Sequence, residues 1–105
     1  MSRVEFEFCV PANHPALAGH FPGRPIVPGV LLVDEALRAL EQATGRSVIR
    51  LQQVKFHAAL LPGELAQGHW SVSGSRANFR IEVRRDDSHV KLVEGAADLS
   101  AEPVS

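Results

Sequence analysis

The chain has one cysteine, Cys9, among its 105 residues. No intrachain disulfide framework can brace it, and no cysteine pair can anchor a metal. No two histidines stand four apart, as a His-Glu-x-x-His site requires, so neither a metal nor another cofactor is expected. Charge of one sign is also missing: 11 basic residues against 12 acidic ones leave a formal net charge of −1. A nucleic-acid partner is therefore not expected, because such proteins neutralise phosphates with a basic surface. No apolar run approaches the roughly 18–20 residues that cross a bilayer, which argues against a membrane span. The opening residues, MSRVEFEF, hold no apolar stretch of the kind a secretory leader needs. With the missing disulfides, this points to the cytoplasm. No segment repeats and none is of low complexity.

What is present suits one globular domain spanning residues 1–105, since 45% of the residues are hydrophobic and the length leaves no room for a second core. A domain this small buries a modest share of its surface, so dimerisation would add to its stability. Residues 4–10 alternate, with Val4, Phe6, Phe8 and Val10 on one side, and predict a half-buried strand. Residues 11–28 hold five prolines and two glycines, too many for a helix or a central strand. A loop that long in a small domain is commonly functional, and its apolar members (Leu17, Phe21, Ile26, Val27) argue for order. Residues 29–44 then take a helical period, opened by Pro28-Gly29 and closed by Gly45. Glu35, Arg38 and Gln42 form a narrow polar stripe opposite Val33, Ala36, Leu37, Leu40 and Ala43. So wide an apolar arc predicts a helix wrapped by a sheet or shared with a partner.

Four further strands are predicted. Residues 48–60 change parity, Ile49 and Leu51 odd but Val54 and Phe56 even, which a bulge near Gln52-Gln53 would explain. Turns at Pro62-Gly63, Gly74-Ser75 and 85–88 separate strands at 64–73, 77–84 and 89–99, and the tail SAEPVS is expected to fray. The expected class is therefore α+β, one long central helix wrapped by a curled antiparallel sheet, the arrangement called the hot-dog fold.

Residues 19–37, GHFPGRPIVPGVLLVDEAL, place one histidine in a loop stiffened by proline and freed by glycine, just before that helix. Such a loop can hold an imidazole in one place, as a catalytic base requires. The stretch resembles the signature of the 3-hydroxyacyl-[acyl-carrier-protein] dehydratases of bacterial fatty-acid synthesis, a hot-dog family. Its pattern is a histidine, Phe-Pro-Gly, Pro-x-x-Pro-Gly opening the central helix, and an acid fourteen positions after the histidine. Here these are His20, Phe21-Pro22-Gly23, Pro25, Pro28-Gly29 and Asp34. A weaker similarity covers residues 54–65, VKFHAALLPGEL, which resemble the family's strand ending in Pro-Gly and an acid. The branch confined to dehydration usually carries Glu at the acid position, and the branch that also isomerises the double bond carries Asp. This sequence has Asp34 with Glu35 beside it on a loop more like the Glu branch, so isomerisation is left open. The chain is shorter than a typical member of either branch and resembles a compact side branch, such as the dehydratases of aryl-polyene or related carrier-protein pathways.

The chemistry can be assigned residue by residue. Removing water from a 3-hydroxyacyl thioester needs a base at C2, an acid at the leaving hydroxyl and a donor at the thioester oxygen. Histidine titrates near neutrality, and His20 is the candidate base. A carboxyl group enclosed by apolar side chains can donate or orient a proton, and Asp34 is the candidate. Glu35, about 100° away, falls in the polar stripe, where it is expected to be solvated or paired with Arg38. The backbone N–H of Gly29, at the helix N-terminus, is the candidate donor to the thioester oxygen. The tunnel that the resemblance implies would be lined by Phe21, Pro22, Val30, Val33 and Leu37. Arg24 could contact an acidic acyl carrier protein or steer it to the site. In the family, the histidine and the acid of one site come from different subunits and the tunnel lies at their interface, which implies a homodimer or higher homo-oligomer. His14 could line the entrance, while His57, His69 and His89 sit singly on strands, and Trp70 is expected in core or interface. Two other readings stay open: a hot-dog thioesterase, which would typically lack the His-Phe-Pro-Gly loop, and a non-catalytic acyl-binding or structural hot-dog subunit.

Overall fold

The computed structural model describes residues 2–14, 17 and 26–101. Five strands and one helix follow in order: β1 (Ser2–Cys9), α1 (Gly29–Thr44), β2 (Val48–Phe56), β3 (Leu65–Ser73), β4 (Arg76–Arg85) and β5 (Ser88–Leu99). The strands form one antiparallel sheet in the order β1-β3-β4-β5-β2. The helix packs against β1 and β2 at the two edges and also against β3 and β5. A flat sheet of five strands is about 19 Å across, whereas a helix is about 10 Å wide. One helix can reach both edges only because the sheet curls around it. This is the α+β arrangement that the sequence pattern predicts.

Alternation builds the inner face. Ala66, Trp70 and Val72 of β3 and Ala77, Phe79, Ile81 and Val83 of β4 are buried. In register with β3, Val4, Phe6 and Phe8 of β1 stand opposite Trp70, Gly68 and Ala66. Gly68 is required there, because an added Cβ would run into the Phe6 ring. The Trp70 indole is fully buried, 4.8 Å centroid to centroid from Phe79. A buried indole N–H needs an acceptor, and Nε1 donates to the Ala36 carbonyl of α1 at 2.7 Å. The small side chain at residue 36 lets the ring come that close to the helix backbone.

This docking sets the rotation of α1. Leu32, Ala36 and Leu40, spaced four apart, are its buried residues. Val33 and Leu37 are partly buried, while Ala43 is exposed. The apolar arc expected from the sequence therefore turns toward Leu32, and Ala43 lies outside the core. Gly45 closes the helix at φ 70°, and its N–H donates to the Glu41 carbonyl at 2.8 Å. The tail is anchored further than expected: the Ser100 N–H donates to the Ser47 carbonyl at 2.8 Å, and the Ser100 carbonyl accepts Arg46 Nε at 2.8 Å. Residues 102–105 lie outside the described residues.

Candidate functional site

Residues 26–28 lead into the site. Val27, 2% exposed, forms an antiparallel bridge with the fully buried Leu60, its N–H donating to the Leu60 carbonyl at 2.9 Å. Pro28 is extended at φ −57° and ψ 137°, and its carbonyl accepts the Leu31 N–H at 3.0 Å, so α1 starts at a fixed point at Gly29. The first-turn N–H groups of a helix have no partner within it and face outward along its axis.

The opposite wall is β2. Gln53 takes φ 53°, and the register with β5 shifts between Gln52 and Lys55. This is the bulge that the parity change predicts. It brings odd-numbered Leu51 and even-numbered Val54 and Phe56 to one wall. Between β2 and α1 opens a cleft of about 830 Å³. Ile26, Val27, Pro28, Gly29, Val30, Leu32 and Val33 form one side, and Leu51, Val54, Phe56, His57, Ala58 and Ala59 the other. An apolar cleft that opens at a helix N-terminus can hold a hydrocarbon chain and a carbonyl oxygen at its head.

The segment after β2 is held by a clamp. The Glu64 carboxylate accepts the Leu61 N–H at 2.9 Å, Arg85 Nε at 2.8 Å and Arg85 Nη2 at 2.6 Å. Arg85 Nη2 also donates to the Ala59 carbonyl at 2.6 Å, which ties the clamp to the cleft wall. The hydrogen bond from Arg85 holds the Glu64 carboxyl below its usual range, and Glu64 in turn raises Arg85, while burial opposes both shifts. The Pro-Gly-Glu acid thus has a structural partner that no sequence spacing announced. At the same wall, His57 Nε2 lies 2.6 Å from the Glu94 carboxylate, which Lys91 also meets at 2.9 Å. The Lys91 hydrogen bond, then that of His57, lowers the Glu94 carboxyl.

The candidate residues divide as follows. Gly29, Val30 and Val33 line the cleft. Leu37, one turn further along, packs partly against the core. Asp34 lies on the exposed flank of α1, its side chain 50% exposed and its Oδ2 3.2 Å from Arg38 Nε. Arg38 therefore pairs with Asp34, at the favourable four-residue spacing, and not with Glu35. Glu35 is partly buried. His20, Phe21, Pro22 and Arg24 lie outside the described residues. Of the remaining histidines, His14 closes a turn, its N–H donating to the Pro11 carbonyl at 3.0 Å. His69 stands between Glu5 and Arg80 in register, and burial lowers its pKa. His89 is exposed near the start of β5. Among the described residues, no three His, Cys, Asp or Glu side chains are grouped to hold a metal, and no helix is long and apolar enough to cross a membrane.

A curled antiparallel sheet around one central helix, with a cleft beside the helix N-terminus, defines a hot-dog protein. The chain belongs to the ApeI-like family, described as ApeI dehydratase, whose profile matches residues 1–95. It is 30% identical over 97 residues to an uncharacterized thioester dehydrase of Halalkalibacterium halodurans, with 79% of this chain and 62% of that protein aligned. It is 38% identical over 82 residues to the 3-hydroxyacyl-[acyl-carrier-protein] dehydratase FabZ of Sodalis glossinidius, covering 78% of this chain and 46% of that one. The chain thus spans about half to three fifths of the length of these curated relatives. Among solved structures it is similar to the dehydratase heterocomplex ApeI:P from Xenorhabdus doucetiae, with a TM-score of 0.77 at 22% identity over 92% of this chain and 86% of that one. At that identity the likeness shows the fold.

Proposed function

We propose that this chain is a dehydratase that removes water from a 3-hydroxyacyl thioester carried on an acyl carrier protein, in fatty-acid synthesis or a related polyene or polyketide pathway. The observation that carries the reading is the apolar cleft ending at Gly29, in a chain of the ApeI-like dehydratase family. The acyl chain lies along Val30 and Val33, with Phe21, Pro22 and Leu37 completing the tunnel. The thioester oxygen accepts the N–H of Gly29. His20 takes a proton from C2, the C2–C3 double bond forms as the C3–O bond breaks, and Asp34 protonates the departing hydroxyl, giving water and the trans-2-enoyl thioester.

Asp34 and Val30 share an exposed flank of α1, with side chain and residue 50% and 70% exposed. Among the described residues the adjacent strand β2 is an edge of the sheet, and it carries Ile49, Leu51 and Phe56, 69%, 39% and 56% exposed. Both features favour a second copy packed along β2 and over this flank, which would take Asp34 out of water and bring it to a histidine of the other subunit. In this reading Arg24 meets the acidic carrier. The test incubates the protein with a 3-hydroxyacyl carrier thioester and follows enoyl thioester and free acid. Enoyl product that disappears in both His20→Ala and Asp34→Ala, but persists in Glu35→Ala, supports the assignment. Loss in Glu35→Ala with Asp34→Ala active reassigns the acid. Free acid without enoyl product replaces the reading with a thioesterase, and no turnover at any chain length replaces it with an acyl-binding subunit.

A further inference from the structure

Glu64 and Arg85 stand outside the lining of the cleft. What they pin is the segment of residues 59–64, through Ala59 and Leu61. The same segment ties down two distant stretches of backbone. Its Leu60 carbonyl accepts the Val27 N–H at 2.9 Å, and its Gly63 N–H donates to the Val10 carbonyl at 2.9 Å. Val10, Leu60 and Val27 are 6%, 0% and 2% exposed, so these ties reach into the core. Buried backbone groups are costly to leave unpaired, so the ties hold firmly once the segment is in place. Val10 lies just past β1, and Val27 stands two residues before Gly29. One short segment thus fixes where the loop of residues 11–26 leaves the sheet, where it returns, and where α1 begins. The segment connects β2 to β3, and the Arg85 guanidinium binds it to the end of β4. A guanidinium that meets a carboxylate through two nitrogens is a strong and directional contact.

We propose that the Glu64–Arg85 pair is a positioning element for the reaction: by holding residues 59–64, it places the Gly29 N–H and both ends of the 11–26 loop. The proposal rests on the dehydratase reading given above, in which Gly29 holds the thioester oxygen and His20, within that loop, is the base. Neither side chain of the pair touches substrate. The pair acts through backbone, from Arg85 and Glu64 to Ala59 and Leu61, from Leu60 to Val27, and from Val27 to the head of α1. Reacting groups must be aligned closely, and about 1 Å of misplacement can cost on the order of a hundredfold in rate. Acyl-chain binding comes instead from apolar contact spread along the cleft, which a small shift of one end disturbs less. Releasing the pair therefore lowers kcat and spares KM.

The test compares the wild type with Glu64→Gln, Arg85→Lys, Arg85→Met, the Glu64→Gln/Arg85→Met double variant and a control, Arg46→Met. Arg46 donates to the Ser100 and Gly74 carbonyls beyond the far end of α1, about 24 Å from Gly29 by helix rise. Losing it weakens the fold without touching residues 59–64. Two quantities are read well below every variant's thermal midpoint. The first is amide hydrogen exchange at Val27 and Gly63, which needs no activity. The second is kcat and KM for dehydration of 3-hydroxyhexanoyl and 3-hydroxydecanoyl carrier thioesters. In the three single variants of the pair, both amides are expected to exchange about tenfold faster. Their kcat should fall about tenfold, with KM within about threefold of wild type. Arg85→Lys keeps the charge but not the planar fork, so it should not rescue. The double variant should be no slower than the slower single one, because the two residues work as a unit. Arg46→Met should leave both amides and both constants within about twofold of wild type. Amides that do not speed up overturn the proposal, as does an active enzyme whose kcat is undiminished or whose loss lies in KM alone. Losses that multiply in the double variant overturn it too. An equal effect in Arg46→Met would make the pair a general stabiliser and overturn it as well. Faster amides confined to the pair's variants, with no enoyl product from the wild type, would sustain the positioning of the segment and defeat the dehydratase reading alone. Enoyl product from the wild type, with amides and kcat unaltered in Glu64→Gln, would do the reverse.

Discussion

Glu64→Gln tests the clamp that holds the cleft wall. The wild-type carboxylate accepts three hydrogen bonds, one from Leu61 and two from Arg85, and Arg85 carries the connection on to Ala59. Net contributions are about 1.5–3 kcal/mol for a hydrogen bond to a charged group and about 0–1 kcal/mol for a fully exposed ion pair. The side chains of Arg85 and Glu64 are 31% and 22% exposed, so this pair lies between those limits. Glutamine keeps the shape and one accepting oxygen but loses the charge, and a cost of about 1–2 kcal/mol is expected. In a chain of 105 residues, that lowers the thermal midpoint by roughly 5–15 °C at matched protein concentration. The pH dependence is the sharper part of the assay. Arg85 holds the Glu64 carboxyl below its usual range in the folded chain. The stability it contributes is therefore complete above the unfolded carboxyl's pKa and disappears as pH falls through the folded one. Scanning calorimetry should find the full gap between wild type and Glu64→Gln at pH 7, a gap that starts to narrow below about pH 4, where the unfolded chain's carboxyl takes up its proton, and one that closes only below the lowered pKa of the folded carboxyl. A gap that stays constant below that pKa, or no gap at pH 7, would refute the clamp.

Two shorter predictions concern the helix. Trp70→Phe removes the indole donor to Ala36 and leaves a void against the helix, so urea titration should show a loss of about 2–3 kcal/mol; an unchanged midpoint would mean that the indole does not hold α1. Gly29→Ala drives a methyl group to 2.5 Å from the Phe56 ring. The ring has to give way, so kcat/KM for dehydration should fall about tenfold to a hundredfold; full activity would place the thioester oxygen elsewhere.

Local rules carried the elements. Pro28-Gly29 and Gly45 marked the ends of α1 to the residue, because an opening proline and a left-handed glycine are chemical stops that neighbours cannot override. The parity change from Leu51 to Val54 marked the bulge, since side chains of one strand cannot otherwise share a face. Rotation of α1 was harder to read. Its apolar residues surround most of the helix, so periodicity admits several inward faces, and Ala43 was expected inside while Leu32 went unnamed. Trp70 selects the face by donating to Ala36. The partner of Arg38 was misjudged for a related reason: the three- and four-residue spacings to Glu35 and Asp34 compete, and side-chain direction decides between them.

The sequence by itself determined the order of strands and helix along the chain, the hot-dog class and the Pro-Gly start of α1, because these follow from patterns among residues close along the chain. Only the tertiary structure decided which walls meet. Glu64 and Arg85 are brought together by the pairing of β3 with β4, and Phe56 is laid on Gly29 by the curl of the sheet around α1. Both contacts close loops of more than twenty residues. Register and curvature across the whole sheet set them, and no local pattern encodes either.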